Sequence, residues 1–408
     1  MPKVLVTDAS NRAALAVIRS LGMKGIDVTA GDETAFNAGF LSKYCRHKIL
    51  YPSPQRNVQE FLDYMLKLVK KEKYDLLIPI TDFTTIPLSK HKKKFDPYVT
   101  LAVPSYDTMV KTSDKALTIK IAAKHDIPYP KTIFVESVKD VEAIAKEIEY
   151  PAVIKPRTKV IWANNSAIMM KVTQKNYAYN PNDLITKYEN IVLQNKVLTQ
   201  RSYLPIIQEY VQGTGYGVEA LFHNSELRAI FSHKRLREYP ITGGASTLCV
   251  SVNNKKLNSL AVKLLKAMNW QGVAMVEFKL NGQGEPKLIE VNGRFWGSLP
   301  LAIASGVDFP FLLYRSMVEG GDFSSPKYKV GVKHRWLIPG DILWLYSSMI
   351  SERKTLGSIR DFVAAFGVAD DIITLDDLRP LFGHLMGTLS LFGDVLRGRR
   401  NLAGELLQ

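Results

Sequence analysis

At 408 residues the chain exceeds what one compact core organises, and roughly two to four packed units are expected. A hydrophobic fraction of 46% and a charged fraction of 23% belong to an ordinary folded protein and exclude a disordered or fibrous one. The net charge of +15 is dispersed, with small clusters at His91–Lys94 and Arg397–Arg400. Without a zinc finger, an RNA-recognition signature or interleaved basic and aromatic residues, it reads as solvated lysine faces and anion sites, and no nucleic-acid partner is expected.

The first residues, MPKVLVTDAS, lack the long apolar region of a signal peptide, and no stretch reaches the ~18 apolar residues of a spanning helix. A cytoplasmic protein is expected. Cys45 and Cys249 lie far apart and match no metal spacing, so both are read as buried or inert thiols in a reducing compartment, with a single disulfide as the alternative.

Residues 3–7 (KVLVT) predict a buried strand, 12–21 a helix ended by Gly22 and Gly25, and 26–32 a second strand, which together form a β-α-β unit. A helix over about 56–72, the strand YDLLIPI, a polar loop Thr81–Thr85 and the strand YVTLAVP complete a Rossmann-like domain over residues 1–112. Its first turn has no G-x-G-x-x-G, so the dinucleotide fingerprint is absent; the small polar residues there either face a ligand at the carboxyl ends of the strands or form a simple tight turn. Ser113-Asp114 caps a helix that the proline-flanked segment Ile127–Pro130 stops. Short strands and helices follow to Gly320, then a polar linker and a Leu-rich helical region over 321–408.

The most chemically informative segment is Gly272-Val-Ala-Met-Val-Glu-Phe-Lys279, an Asn-Gly-Gln-Gly turn, and the run Pro286–Gly297. It predicts a hairpin. Glu290 and Asn292, two apart, share one strand face, and pairing can bring Glu277 onto it. Two carboxylates and an amide oxygen suit Mg²⁺, with Mn²⁺ as an alternative, and Arg294 continues the same alternation toward a phosphate. In surroundings as apolar as GVAMVEF and LIEV, unpaired carboxylates would be costly. Upstream, Arg235, Arg237 and Glu238 precede the loop Gly243-Gly244, whose amides can approach an anion closely.

These motifs resemble the ATP-grasp superfamily over roughly residues 1–320. The segments Asn292–Ser298 and Arg235–Gly244 are similar to its carbamoyl-phosphate-synthetase-like branch of carboxylate–amine ligases. The resemblance implies a Rossmann-like leading domain, then an ATP-grasp domain over 113–320, with a lid lobe at about 131–207 and a metal lobe at about 208–320. It implies ATP binding by Lys115 and Lys155, adenine contacts along the hinge Gln208, Glu209, Tyr210 and Val211, and Glu219 as the candidate ribose acid. Arg235 and Arg294 are the implied catalytic cations. Arg237, Gly243, Gly244, Ser246 and Trp296 are implied on the substrate side. The expected reaction joins small-molecule acid and amine substrates into an amide through an acyl phosphate.

The segment 157–166 departs from the family by lacking glycine. That leaves open an ATP-binding scaffold that has lost turnover. The apolar tail segments 335–345 and 381–392, followed by the basic cluster, are read as packing on the parent domain or a dimer partner. Peripheral contact with an anionic membrane, with a lipid-linked envelope precursor as substrate, is the alternative.

Overall fold

A computed structural model describes residues 2–241, 243–321, 323–351 and 355–397. Residues 398–400 of the basic cluster lie outside that range.

Among the described residues the first unit is a five-stranded parallel sheet. Its spatial order is His47–Leu50, Asp27–Asp32, Lys3–Val6, Leu76–Ile78 and Thr100–Leu101. The crossover helix Arg12–Met23 begins where the Asn11 side chain accepts the Ala13 N–H at 2.9 Å. The edge strand His47–Leu50 is not apparent from the sequence, because its mostly exposed HKIL shows little apolar signal. The expected polar loop at Thr81–Thr85 is instead the start of a helix, Asp82–Lys90.

A four-stranded antiparallel sheet follows, ordered Tyr177–Ala178, Ala152–Lys155, Ile206–Glu209 and Thr132–Phe134. It carries the helix Pro181–Gln194, and Val135, Ile154, Leu184, Tyr188 and Ile207 give this lobe a core of its own. The large lobe is built on a seven-stranded sheet led by Pro286–Asn292, Gly272–Leu280, Thr214–His223, Glu226–Tyr239 and Ala245–Val252. Its core is continuous with that of the first unit: Val4, Leu76, Phe231, Trp296 and Phe309 belong to one cluster. The two units therefore form one base, and the separately packed small lobe stands over it.

The tail is not purely helical. Lys333–Arg335 and Ala369–Asp370 add the last two strands of the large sheet; of the tail helices, Ile342–Ser351 packs on Thr355–Val363 and on the strand Glu226–Tyr239, and Pro380–Leu396 packs on the short helix Ala38–Leu41 of the first unit. Strands of three and two residues are too short to show a period in sequence. Among the described residues no single helix is long and apolar enough to cross a membrane.

Candidate active site

A cleft of about 1320 Å³ runs between the small lobe and the base. Its floor is the hairpin of Gly272–Leu280 and Pro286–Asn292. Register sets Glu277 opposite Glu290 and Met275 opposite Asn292, so the three polar side chains meet on one face. Asn292 Nδ2 donates to Glu277 Oε1 at 2.7 Å and to Glu290 Oε1 at 3.3 Å. Arg294 continues the alternation, but its guanidinium is gripped by both oxygens of Asp82 at 3.0 and 3.2 Å. Asp82 opens the helix after the fourth parallel strand of the first unit, so that unit reaches the floor of the cleft.

Lys115 and Lys155 enter from different elements. Lys115 is the first residue of the helix Lys115–Lys124, whose N-cap Asp114 accepts the Ala116 N–H at 2.8 Å. Its ammonium lies 3.9 Å from Glu290 Oε2. Lys155 ends the strand Ala152–Lys155 and donates to Gln208 Oε1 at 2.6 Å. Burial and then the Lys115 charge push the Lys155 ammonium down to about 8.

A third lysine, Lys159, which no sequence motif marks, is more deeply engaged. Lys159 Nζ donates to Glu290 Oε1 at 2.6 Å and to Asn292 Oδ1 at 2.9 Å. Burial works against the Glu290 carboxylate, but Lys159 and Lys115 outweigh it and hold the carboxyl well below the usual range. The signal available in sequence was position alone: Lys159 lies four residues after Lys155, inside the stretch without glycine. That stretch is a β-hairpin of Val160–Ala163 and Ser166–Met169, turning at Asn164 (φ 49°) and Asn165 (φ 63°). Positive φ at both central residues is the pattern of the I′ hairpin turn, and asparagine accepts it.

The Arg235 guanidinium is 2.5 Å from Glu277 Oε2 and 3.2 Å from Glu238 Oε1, and it also donates to the Gly244 carbonyl at 3.3 Å. Gly243, Gly244, Ser246 and the buried Trp296 line the same cleft. Gly244 has no room for a side chain, since a Cβ there would lie 2.2 Å from the Tyr239 carbonyl oxygen. Two expected residues are elsewhere. Arg237 leaves the cleft because the ladder to Ala245–Val252 is irregular on both sides of it. It pairs with Asp341 at 2.7 Å and lies 4.3 Å over the Trp344 ring, so it is a tie to the tail. Glu219 is fully buried, 2.6 Å from His233 Nδ1, and does not line the cleft, which removes it as a ribose acid.

The hinge lies at the back. Gln208 is buried, while Glu209, Tyr210 and Val211 line the cleft. The Glu209 and Tyr210 N–H groups already donate to the Lys131 and Pro151 carbonyls at 2.9 and 3.0 Å. A purine would therefore meet Val211 and the strand carbonyls. The Glu209 carboxylate is paired with Lys287.

Among the described residues no group of three or more His, Cys, Asp or Glu side chains is arranged to hold a metal ion. Glu277, Glu290 and Asn292 supply two carboxylates and one amide. That is a partial oxygen set, the kind Mg²⁺ completes with water and substrate phosphates. The Lys159 ammonium donates to two of those oxygens.

Residues 204–337 match the family model described as ATP-grasp in the biosynthetic pathway with Ter operon. Over 252 residues the chain is 23% identical to the carbamoyl phosphate synthase large chain of Pyrococcus furiosus, covering 60% of this chain and 22% of that one. Over 283 residues it is 23% identical to the D-aspartate ligase of Enterococcus faecium, covering 65% and 64% of the two chains. The matches thus span less than two thirds of either relative. Its fold is similar to the biotin carboxylase domain of Hydrogenobacter thermophilus 2-oxoglutarate carboxylase, solved with MgADP, ADP and bicarbonate. The TM-score is 0.62 at 17% identity, over 81% of this chain and 73% of that one.

Proposed function

The chain belongs to the ATP-grasp superfamily, and from that premise we propose that it is an ATP- and Mg²⁺-dependent ligase that joins a small-molecule carboxylate to an amine through an acyl phosphate. The observation that carries this reading is the juxtaposition of Glu277, Glu290 and Asn292 with Lys115, Lys155 and Lys159 in a cleft that the hinge residues Glu209, Tyr210 and Val211 also line.

In this reading the purine lies against Val211 and the polyphosphate runs toward Lys155 and Lys115. Glu277, Glu290 and Asn292 would hold Mg²⁺ or Mn²⁺, which would supply positive charge to neutralise the phosphates. The acid lies beyond the phosphates, against Gly243-Gly244, Ser246 and Trp296, where Arg235 faces its carboxylate. One carboxylate oxygen attacks the terminal phosphorus and ADP leaves. The amine then attacks the carbonyl carbon and expels phosphate. Positioning and electrostatics carry the chemistry, and no protein nucleophile is required. The docked hairpin keeps water from the acyl phosphate, which water would hydrolyse.

Hydroxylamine traps acyl phosphates as hydroxamates, so the acid can be sought without knowing the amine. The protein with ATP, Mg²⁺, hydroxylamine and a panel of amino and dicarboxylic acids should give ADP and a hydroxamate for at least one acid. A protein that binds ATP yet yields neither across the panel would favour a scaffold that has lost turnover.

A further inference from the structure

Of the three cleft lysines Lys115, Lys155 and Lys159, the last is the one hydrogen-bonded to the metal ligands, and it arrives there on the lid. Its ammonium bridges Glu290 Oε1 and Asn292 Oδ1 at 2.6 and 2.9 Å, whereas Lys155 bonds a neutral amide and Lys115 stands 3.9 Å from Glu290.

The segment carrying it is fixed on both sides. Arg157 grips the Asp114 carboxylate at 2.9 Å, and its carbonyl accepts the Lys115 N–H at 2.9 Å. At the far end the hairpin is seated on the first unit: Val58 N–H donates to the Asn165 carbonyl and Ala167 N–H to the Gln55 carbonyl, both at 2.8 Å. The Lys159 side chain keeps 36% of its surface exposed, so the ammonium can leave Glu290 along the cleft without moving the backbone.

Resting on the ATP-site reading, we propose that Lys159 is a nucleotide-binding residue that the lid parks on the metal ligands, so that a divalent ion gains the site only together with a polyphosphate. The charge arithmetic is direct. Two carboxylates meet face to face at Glu277 and Glu290, and Arg235 and Lys159 each neutralise one of them. A free metal ion must displace an ammonium into a cleft already carrying Lys115, Lys155 and Arg294. A metal–nucleotide complex brings phosphate oxygens that accept the displaced ammonium. The lysine thus takes the place of a glycine-rich phosphate loop: it closes the lid on carboxylates beforehand and on phosphates afterwards.

The test measures Mn²⁺ binding by electron paramagnetic resonance, with and without a non-hydrolysable ATP analogue, on wild type, Lys159→Met and Lys159→Arg. Wild type should bind free Mn²⁺ weakly and the Mn²⁺–analogue complex well. Lys159→Met should bind free Mn²⁺ at least about tenfold more tightly, because the competing ammonium is gone. The same variant should bind the analogue more weakly, and Lys159→Arg should follow wild type. Tight binding of free Mn²⁺ by wild type, or no gain in Lys159→Met, would overturn the inference. A wild type that takes no Mn²⁺–analogue complex at all would instead overturn the ATP-site reading. Lys139→Ala, on the exposed outer surface of the small lobe, serves as the charge-removal control and should change neither affinity.

Discussion

Glu277 and Glu290 face each other across a hairpin, a placement that is unfavourable unless cations stand nearby. Arg235, Lys159 and Lys115 meet that requirement in the free protein. Glu290→Gln keeps the shape and removes the charge. It should lower ADP formation by about 10² to 10³-fold, as loss of one preorganised electrostatic partner does, with an unchanged melting temperature within a few degrees. Full activity in that variant would remove Glu290 from the metal site. Lys155 carries a pH dependence. Its ammonium, pushed down to about 8 by burial and Lys115, is charged below that value and neutral above it. A bound phosphate favours the charged form, so nucleotide affinity should be level below about pH 8 and fall toward tenfold per unit above it. Calorimetry from pH 7 to 9.5 should show this fall together with proton uptake on binding; a level profile would place Lys155 away from the phosphates. Most of these residues were legible because alternation by two along a strand is enforced by geometry. Glu219 and Arg237 obey the same alternation in sequence, and only depth in the sheet and a local irregularity remove them. Neither leaves a mark on a one-dimensional pattern.

The lid shows the same division at the scale of an element. Absence of glycine suggested altered closure, yet Asn164 and Asn165 supply the positive φ that a two-residue turn demands. Asn165→Val puts a β-branched residue at φ 63°, at a cost of about 1 to 2 kcal/mol. Hydrogen exchange across residues 158–170 should therefore quicken by roughly tenfold, while the base keeps its protection. Asn165→Gly should leave exchange near the wild-type rate. Equal protection in all three proteins would mean that the turn does not hold the hairpin. The hairpin's seating on Gln55 and Val58 could not be read from sequence, since it joins backbone groups more than a hundred residues apart.

For the whole molecule, the tail is built into the fold rather than appended to it. Arg19 of the first crossover helix is buried against Asp377 at 3.0 Å, and Asp377 also accepts from Ser42 Oγ at 2.6 Å and the Lys43 N–H at 3.0 Å. Asp341 meets Arg237 and Arg335 at 2.7 Å each. Asp377→Ala leaves the buried Arg19 with backbone carbonyl acceptors but no carboxylate, and should destabilise the protein by about 3 kcal/mol, read as a lower denaturant midpoint with an unchanged slope. A loss below about 0.5 kcal/mol would show a tail that is merely laid on the surface. Composition and apolar runs made the tail legible as helical. The ion pairs and the two short strands that join it to the sheet emerge only when distant segments meet.

Oxygen tracing shows whether an acyl phosphate forms. With an accepted acid labelled with ¹⁸O in its carboxylate, ATP, Mg²⁺ and amine, a ligase working through an acyl phosphate passes one carboxylate oxygen to the released phosphate. ADP and phosphate carrying a single ¹⁸O are expected, both formed about 10² to 10³-fold more slowly by Glu290→Gln. Unlabelled phosphate, or AMP and pyrophosphate as products, would contradict the acyl-phosphate route.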